Sequence, residues 1–529
     1  MNKNILLIEP GYKNKYPPLG LMKIAQYHGP FGKRDNVRFV KGCDPSILGT
    51  KWDRVYVTTL FSFEYEKISE AILYAIQAAK GDRRSVFVGG IAASLMTDRF
   101  RADERWRGVR IIKGLLSTAP ASSLELDDFQ GEFYADDTLG MPIENLVPDY
   151  SILDQIEYQY PVRDAYFIYA TRGCIRSCHF CGVPKLEGGM KETESIASVV
   201  REIERLYGPK KDLIFMDNNV VASAKFKTII EEIVDLGFTP NEKLKRNGRT
   251  YARRVDFNQG VDARILAKDK MFLRELSRIA IRPLRIAFDH WGLRGPYETS
   301  IRYAHEFGLN DLSNYMLYNF HDGPRDLFER MRLNVTLNEE LGIRIFSFPM
   351  RYQPTDLPNR SHVGDKWKKY QLRSLQIILQ ATHGVVSGEP DFFKAAFGDT
   401  AADFEQLLLR PHHTIFNRDY YDKGPGRAQL DDFSTRFSKL SDAQKAEVLE
   451  YVSLYDPSRY ASNLKAVKDF EMRRVLEHYV PPPKSFEREI WAGKRPSPKM
   501  MLADEEIVED AGLDEDIETG KPARLKRSA

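Results

Sequence analysis

The stretch that decides the fold is YATRGCIRSCHFCGVPK, residues 169–185. It contains three of the chain's four cysteines, Cys174, Cys178 and Cys181. The residues just before them, AYFIYAT at 165–171, form a short apolar run of the kind that makes a buried strand. The sequence therefore predicts three thiols on a loop directly after a strand, and the rest of the chain has to be interpreted around that loop.

Three kinds of site use closely spaced thiolates. Structural zinc takes four ligands, commonly as two separated pairs, and this chain has no second cysteine pair. His179 would complete a set of four only by straining the loop between two ligands. A thioredoxin-type Cys-x-x-Cys pair exists at Cys178 and Cys181, but it leaves Cys174 unused. Clustered thiolates also hold iron–sulfur clusters, and three ligands would leave one iron of a four-iron cluster open to a substrate or cofactor.

Length and composition are those of a soluble globular protein with several domains. A chain of 529 residues exceeds one ordinary core, so two to four domains are expected. A formal net charge of +3 does not demand nucleic acid or an anionic membrane, so we do not expect a nucleic-acid partner, although tRNA is not excluded. The sequence contains no apolar run of about 18 residues, and we expect no membrane span. The apolar start is too short for a signal peptide, and the few cysteines indicate a reducing cytoplasm.

Residues 1–120 alternate short apolar strands with helices, which is typical of a Rossmann-like parallel sheet covered on both faces. The strands are predicted at 5–10, 37–42, 54–60, 85–90 and 109–114, with a helix at 67–81. Ligands of such sheets bind beyond the carboxyl ends of the strands. The candidate binding residues there are Thr58, Thr59, Ser62, Gly89 and Gly90. Tight-turn chemistry is the alternative explanation of the glycine pair.

The strand–helix alternation resumes at residue 163 after a linker at 121–162. Six strands are predicted, at 165–171, 213–219, 255–262, 284–290, 315–323 and 343–350, with a helix at 195–208 after the first. This pattern predicts a partial (β/α)6 barrel over residues 163–355, whose chemistry would lie at the carboxyl-end mouth. Residues 356–500 predict a helical C-terminal domain, in which Ser441 and Gln444 have the spacing of a capping box. Residues 501–529, acidic and then basic, predict a disordered tail.

The loop motif CxxxCxxC, with Phe180 directly before the last cysteine, resembles the radical S-adenosylmethionine superfamily over residues 163–353. The resemblance includes strand endings that this family often has, namely Asp217-Asn218-Asn219, Asn258-Gln259-Gly260 with Asp262, and Asp289. It implies that Cys174, Cys178 and Cys181 ligate a [4Fe–4S] cluster whose open iron binds S-adenosylmethionine. Reductive cleavage would yield a 5′-deoxyadenosyl radical that abstracts a substrate hydrogen, with a reductant such as flavodoxin or ferredoxin as partner.

The resemblance also implies which residues contact the cofactor. Phe180 would lie near the adenine, and Asp217 and Asn218 near the methionine or ribose. The remaining candidates are Gln259, Asp289, Asn319 and the strand end at 348–350. An aspartate at a strand end is as often a helix N-cap as a ligand contact, so that alternative stays open for Asp217 and Asp289.

The N-terminal region resembles the cobalamin-binding domain that precedes many radical S-adenosylmethionine barrels. The matching stretches are YPPLGLMKIAQY at 16–27, the turn at 58–62 and VFVGGIAASL at 86–95, with LVPDYSIL at 146–153 resembling the linker before such barrels. One departure is the absence of the Asp-x-His-x-x-Gly loop that supplies a histidine to cobalt, since KGCDPSILGTKWD at 41–53 has no histidine. With cobalamin the implied reaction is methylation of an unactivated carbon or phosphorus. Without it, the implied outcomes are rearrangement, ring closure, desaturation or coupling.

A rival class of function is a non-catalytic protein, either an iron–sulfur electron carrier or a zinc-stapled interaction module. Carriers generally fill all cluster ligands with protein residues, and no fourth cysteine lies near the loop, which favours the enzyme. The remaining cysteine, Cys43, is predicted at the ligand edge of the first sheet. It is interpreted either as a small, partly buried thiol or as a cobalt lower-face ligand or radical quencher.

Three further features have two interpretations each. The basic run at 242–254 either grips phosphate or an acidic substrate near the barrel mouth or forms a solvated loop. His290 either faces the substrate or serves as a capping or packing residue. His412 and His413 are adjacent, and on an extended chain they would point to opposite sides, so we expect no metal site there.

Overall fold

The computed structural model of the chain describes residues 2–116, 143–193, 195–382, 384, 386 and 388–483. The chain divides into two compact units. Unit 1 comprises residues 1–287, 299–309 and 353–362, and unit 2 comprises residues 288–298, 310–352 and 363–529. The predicted tail at 501–529 and residues 121–142 of the predicted linker lie outside the described residues.

Unit 1 begins with a five-stranded parallel sheet of order β2-β1-β3-β4-β5. Its strands are β1 (Asn4–Glu9), β2 (Asn36–Lys41), β3 (Arg54–Thr59), β4 (Val86–Gly90) and β5 (Arg110–Ile111). The helices between and after them are α1 (Leu19–His28), α2 (Tyr65–Ala78), α3 (Ile91–Leu95) and α4 (Thr97–Ala102). The predicted α/β class and the N-terminal parallel sheet are therefore confirmed. The strand order reverses between β1 and β3, which is where ligands of such sheets bind.

The apolar pattern explains why these residues form a sheet covered by helices. Ile5, Leu6, Leu7 and Ile8 are all fully buried, so β1 is covered on both faces, as a central parallel strand requires. The apolar side of α2 joins the same core as alternate residues of β1 and β3. Burial of these apolar side chains supplies the main favourable free energy of this layer.

A second parallel sheet in unit 1 follows the linker and has the order β12-β9-β6. It consists of β6 (Ala165–Ile168), β9 (Asp212–Phe215) and β12 (Arg254–Phe257). The strands β7 (Thr171–Arg172) and β8 (Lys191–Glu192) form a separate, short antiparallel pair. The helices are α5 (Val183–Leu186), α6 (Ile196–Tyr207), α7 (Phe226–Asp235), α8 (Ala263–Leu266) and α9 (Met271–Leu276), and β13 is only Leu284–Arg285. The helix predicted at 195–208 corresponds to α6. The strand predicted at 284–290 is much shorter than expected.

The basic run at 242–254 is a β-hairpin rather than a loop, with strands β10 (Lys243–Arg246) and β11 (Arg249–Ala252). Asn247 and Gly248 both have positive φ, which is the two-residue turn that suits a hairpin. Arg246 forms an ion pair with Asp164, which holds one face of the hairpin against the sheet. The hairpin leads into the amino end of β12, so the interpretation that placed it near the barrel mouth is wrong.

Unit 2 contains a parallel strand pair and the C-terminal helices. The pair is β14 (Asp311–Tyr318) with β15 (Arg344–Arg351), joined through α11 (Pro324–Leu341). The preceding helix α10 (Arg294–Glu306) has residues 294–298 in unit 2 and residues 299–306 in unit 1. The later helices are α12 (Lys369–Ala381), α13 (Pro390–Phe397), α14 (Ala401–Leu407), α15 (His412–Phe416), α16 (Arg418–Asp422), α17 (Arg427–Lys439), α18 (Asp442–Leu454), α19 (Tyr460–Asn463) and α20 (Phe470–Glu477). None of the helices in the described part of the chain has both the length and the hydropathy required to cross a bilayer.

Two sequence predictions in the C-terminal region have different outcomes. The capping box is present, since Ser441 and the Gln444 side chain satisfy each other's backbone N–H groups at the start of α18. The extended chain assumed for His412 and His413 is wrong, because both residues belong to the helix α15. His412 is half-buried and stacks on the ring of Tyr370, with 4.0 Å between ring centroids.

Candidate functional site around the cysteine loop

Residues 173–189, which we call the cysteine loop, are closed at their base by backbone contacts. Gly173 has a φ of +75°, and a methyl group there would lie 2.3 Å from the carbonyl oxygen of Gly189 and 2.7 Å from that of Gly188. Only glycine therefore fits at this crossing. The Cys174 N–H donates to the Gly188 carbonyl at 3.3 Å. The antiparallel pair of β7 and β8 continues the closure below the loop.

The three thiols of the loop are half-buried, and none is joined in a disulfide. The Arg176 N–H donates to the sulfur of Cys174 at 3.4 Å, and the Val183 N–H donates to the sulfur of Cys181 at 3.4 Å. Backbone N–H groups that donate to metal-bound sulfurs stabilise the charge of such a ligand set. Among residues 2–116, 143–193 and the later described positions, however, no three His, Cys, Asp or Glu side chains converge as a ready ligand set.

Asp217, at the end of β9, holds the strand that leads into the cysteine loop. Its carboxylate is buried and accepts hydrogen bonds from the Ala170 N–H at 3.0 Å and from the Thr171 N–H and hydroxyl at 2.5 and 2.7 Å. Burial raises the pKa of Asp217 to about 6, although these three hydrogen bonds act to lower it. Asp217 is thus engaged by the chain itself, in a position that fixes where the loop starts.

Glu187 and Arg172, which the sequence analysis missed, lie at the base of the same loop. One carboxylate oxygen of Glu187 accepts from the Gly173 N–H at 2.7 Å and from the Asn218 side-chain amide at 3.0 Å. The guanidinium of Arg172 lies 3.4 Å from Glu187 and 3.5 Å from Glu144. No motif identifies such residues, because their partners are distant in the sequence.

The end of β12 contacts both the cysteine loop and the N-terminal region. The Arg176 guanidinium forms an ion pair with Asp262 at 2.8 Å, and Asp262 also caps α8. Burial acts to raise the pKa of Asp262, but hydrogen bonds from Arg264 and Arg176 outweigh it, and the pKa lies below its ordinary value. The Tyr16 hydroxyl donates to the Asn258 side chain at 2.6 Å.

At the carboxyl edge of the first sheet, Thr59 and Gly90 build the turn into α3. The Thr59 hydroxyl donates to the Gly89 carbonyl at 2.9 Å and accepts from the Ala93 N–H at 2.9 Å. Gly90 has a φ of +107°, and a methyl group there would lie 2.5 Å from the Thr59 carbonyl oxygen. This geometry favours the tight-turn interpretation of Gly90.

The crevice between the ends of β1 and β3 is occupied by an aromatic side chain. Tyr12 is buried, its hydroxyl accepts from the Leu60 N–H at 3.2 Å, and its ring packs edge-on against Phe61. Thr58 and Ser62 remain half-buried at this edge. A ligand at this edge would therefore rest above Tyr12 rather than in the crevice itself.

Within unit 1 the cysteine loop lies against this carboxyl edge. A methyl group at Gly182 would lie 3.2 Å from the Leu95 side chain, so α5 and α3 are in close contact. The Tyr16–Asn258 hydrogen bond joins the loop after β1 to the end of β12. Segments at the carboxyl ends of the two parallel sheets are thus in contact with each other.

The segment 353–362 contacts both of these edges. A methyl group placed on Gly182 would lie 3.7 Å from the Thr355 side chain. The guanidinium of Arg360 lies over the ring of Phe63, 4.1 Å from its centroid, just after the turn that follows β3. This segment therefore borders the region between the cysteine loop and the first sheet.

The other predicted site residues have separate environments. Phe180 is half-buried on the cysteine loop, Gln259 is exposed beside Asn258, and Cys43 is exposed after β2. Although Cys43 is exposed as a residue, desolvation of its sulfur and, second, the charge of the nearby Glu70 carboxylate raise the pKa of its thiol.

Two predicted cofactor contacts belong to unit 2. Asn319 is buried at a positive φ, donates to the Tyr352 carbonyl at 3.1 Å and accepts from the Gly364 N–H at 2.8 Å. Asp289 is half-buried, and its backbone carbonyl accepts from the buried Arg330 at 3.2 Å. In the same unit His290 and Met350 are exposed. The Asn319 side chain thus holds its own loop together.

No protein-family model matches the chain. Two curated relatives are methyltransferases. An uncharacterized methyltransferase of Synechocystis sp. is 24% identical over 231 residues, which is 42% of this chain and 40% of that protein. The bacteriochlorophyllide d C-12(1)-methyltransferase of Chlorobaculum tepidum is 26% identical over 177 residues, or 32% of this chain and 38% of that protein. The matched region thus spans about two fifths of the length of each relative.

Two solved structures similar to the chain are radical S-adenosylmethionine enzymes with cobalamin bound. The methyltransferase TsrM from Kitasatospora setae, with cobalamin and a [4Fe–4S] cluster bound, has a TM-score of 0.44 and 16% identity, covering 67% of this chain and 77% of that one. OxsB, with aqua-cobalamin and S-adenosylmethionine bound, has a TM-score of 0.47 and 12% identity, covering 96% and 82%. These proteins are of the class that the cysteine motif and the N-terminal region resemble.

Proposed function

We propose that the chain is a radical S-adenosylmethionine enzyme whose cysteine loop holds a [4Fe–4S] cluster, and that its reaction is a methyl transfer using cobalamin. One observation carries this proposal. A CxxxCxxC loop, closed at its base by Gly173, follows the first strand of one parallel sheet and lies against the ligand edge of another. The methyltransferase names of the curated relatives support the same class of reaction.

The donor set fits a cluster by its chemistry. When bound, the cluster supplies the electron that cleaves S-adenosylmethionine to a 5′-deoxyadenosyl radical for hydrogen abstraction. Cys174, Cys178 and Cys181 would hold it, and the backbone N–H groups of Arg176 and Val183 would stabilise the charge on two of the sulfurs. The Arg176–Asp262 ion pair would keep the loop anchored to the end of β12.

The proposal includes the partial (β/α)6 barrel over residues 163–355, between an N-terminal domain at 1–120 and a helical domain at 356–500. Within residues 163–355 the parallel strands are β6, β9 and β12 in unit 1 and β14 and β15 in unit 2. A reductant such as flavodoxin or ferredoxin, and a cytoplasmic location, stay predictions.

For S-adenosylmethionine we propose contacts from Phe180, Asn218 and Gln259, at the loop and the strand ends of unit 1. Asp289, in unit 2, stays a prediction from the sequence. The side chains of Asp217 and Asn319 accept hydrogen bonds from backbone N–H groups and so hold the local backbone in place. We therefore assign those two to positioning.

For cobalamin we propose the edge formed by Thr58, Ser62 and Gly89, where bound cobalamin would supply the methyl group. Thr59 and Gly90 shape that edge from beneath. The alternative is a radical reaction without cobalamin, such as rearrangement, ring closure, desaturation or coupling. It is favoured by Tyr12, which fills the β1–β3 crevice, and by the absence of a histidine in residues 41–53.

The test is to purify the protein anaerobically, reconstitute it with iron and sulfide, and measure 5′-deoxyadenosine formed from S-adenosylmethionine under dithionite. We expect a four-iron spectrum and 5′-deoxyadenosine release that disappears in Cys178→Ala and persists in Cys43→Ala, the matched variant outside the loop. Corrinoid absorbance in the purified protein would favour methyl transfer over the reactions without cobalamin. A loaded cluster that neither binds nor cleaves S-adenosylmethionine would indicate an electron carrier instead, and bound zinc without iron an interaction module.

A further inference from the structure

The base of the cysteine loop contains a carboxylate that joins three segments of the chain. Glu187 follows Cys181 by six residues, and its side chain is 10% exposed. One of its oxygens accepts from the Gly173 N–H at 2.7 Å, at the start of the loop, and from the Asn218 amide at 3.0 Å, at the end of β9. Glu187 thus ties the beginning of the loop to its end and to the neighbouring strand.

The charge of Glu187 belongs to a row of alternating charges whose side chains are between 10% and 16% exposed. Arg172 lies between Glu187 at 3.4 Å and Glu144 at 3.5 Å, with its guanidinium 3.9 Å from the ring centroid of Tyr169. Glu144 in turn pairs with Lys23 of α1 at 3.1 Å. Each ion has a neighbour of opposite sign, so removing one carboxylate leaves a buried cation poorly compensated.

We propose that Glu187 is the positioning residue of the cysteine loop, holding its two ends together and setting the charge beside the bound cluster. The proposal rests on the proposed function, because it requires that the three thiols hold a cluster. Glu187 is hydrogen-bonded to Gly173, the residue next to Cys174, so its negative charge lies close to the first ligand. A nearby negative charge opposes addition of an electron, and neutralising it should raise the reduction potential of the cluster.

The experiment compares three variants of the full chain with wild type after anaerobic reconstitution. Glu187→Gln keeps the shape and one accepting oxygen but removes the charge, whereas Glu187→Ala removes both. Glu192→Gln is the matched control, since Glu192 lies on β8 and its carboxylate binds Ser223 and the Ala224 N–H instead of the loop. The readouts are iron per chain, the rate of iron loss to a chelator, and the midpoint potential followed by electron paramagnetic resonance.

We expect Glu187→Gln to hold as much iron as wild type at a higher midpoint potential. Glu187→Ala should lose iron on the order of tenfold faster, because the Gly173 N–H and Asn218 lose a charged acceptor. Glu192→Gln should match wild type in all three readouts. In cluster-free protein, Glu187→Ala should also show faster hydrogen exchange at the amides of residues 173–174, a readout that does not depend on the cluster.

The outcomes separate this inference from the function it rests on. A wild-type protein that takes up no iron–sulfur cluster overturns both. A loaded wild type, with Glu187 variants indistinguishable from Glu192→Gln in potential, iron loss and exchange, overturns the role of Glu187 and leaves the enzyme proposal intact. A faster iron loss without any change of potential in Glu187→Gln overturns the charge-setting part, since a purely structural residue would behave that way.

Discussion

Replacing Asp217 by asparagine should weaken the start of the cysteine loop in a pH-dependent way. Both carboxylate oxygens of Asp217 are used, one by the Ala170 N–H at 3.0 Å and the other by the Thr171 N–H and hydroxyl at 2.5 and 2.7 Å. Asparagine keeps one accepting oxygen, and its NH2 group would face a backbone donor. One buried N–H therefore loses its acceptor, which costs about 1–3 kcal/mol of local stability.

The pH dependence follows from the pKa of Asp217, which burial raises from 3.8 to about 6. Because the folded-state pKa exceeds the unfolded-state value, the folded chain retains a proton that the unfolded chain releases at lower pH. This contribution to the free energy of unfolding is fully present below pH 3.8 and is lost as the pH rises through about 6. Wild type should therefore gain about 1 kcal/mol on going from about pH 7 to about pH 5, and the asparagine variant should gain nothing from this group.

Hydrogen–deuterium exchange measured by mass spectrometry on a peptide covering residues 165–172 gives the local opening free energy at each pH. The gap between wild type and Asp217→Asn should widen by about 1 kcal/mol at the lower pH. Asp262→Asn is the control, because the pKa of Asp262 is lowered in the folded state and its contribution is lost only below the ordinary carboxylate range. Its gap should stay constant between the two pH values. A constant or narrowing gap for Asp217→Asn would refute the raised pKa and the reasoning built on it.

Three further variants test other parts of the fold. Gly90→Ala places a methyl group 2.5 Å from the Thr59 carbonyl oxygen at a φ of +107°, so urea unfolding should show a loss of about 1–3 kcal/mol; an unchanged midpoint would contradict the tight turn. Arg176→Ala breaks the ion pair with Asp262. Because the Arg176 side chain is 35% exposed, the free energy of unfolding should change by less than about 1 kcal/mol, while amide exchange in the cysteine loop should become faster. Ser441→Ala removes a capping box and should lower the stability of the C-terminal helices by about 1 kcal/mol in thermal unfolding, whereas no change would mean that the cap is frayed in solution.

The strands β1, β6 and β9 could be predicted from sequence because each is a short, mostly apolar run that is buried on both faces. The Asn247-Gly248 pair could also have predicted a hairpin turn. The residues around it are mostly basic, so the strands lack the alternation of apolar and polar residues that identifies a hairpin. The extended conformation predicted for His412 and His413 was wrong because two adjacent histidines carry no periodicity of their own, and the helix is seen only in the backbone hydrogen bonds of residues 411–417.

The contacts that build the site could not be predicted in the same way. The sequence indicates an acidic residue at the end of β9, but it cannot tell whether Asp217 caps a helix, binds a ligand or holds the preceding strand. In the structure Asp217 holds the preceding strand, because it accepts hydrogen bonds from the Ala170 N–H, 47 residues away in sequence, and from the Thr171 N–H and hydroxyl, 46 residues away. Glu187 was missed for the same reason, because its role depends on a hydrogen bond with Asn218, which is 31 residues away in sequence.

The close approach of two ligand edges is what favours an enzyme over an electron carrier. A carrier needs its cluster near the surface, where a partner protein can reach it, and gains nothing from a second parallel sheet beside the cluster loop. In this chain Gly182 allows the loop to come within contact of Leu95, on the helix that follows Gly90, and a larger residue would have to displace one of them. The Tyr16–Asn258 hydrogen bond holds the same two edges together at a second point. Two independent contacts that bring one ligand edge to another are expected when a group bound at the first must react with a group bound at the second.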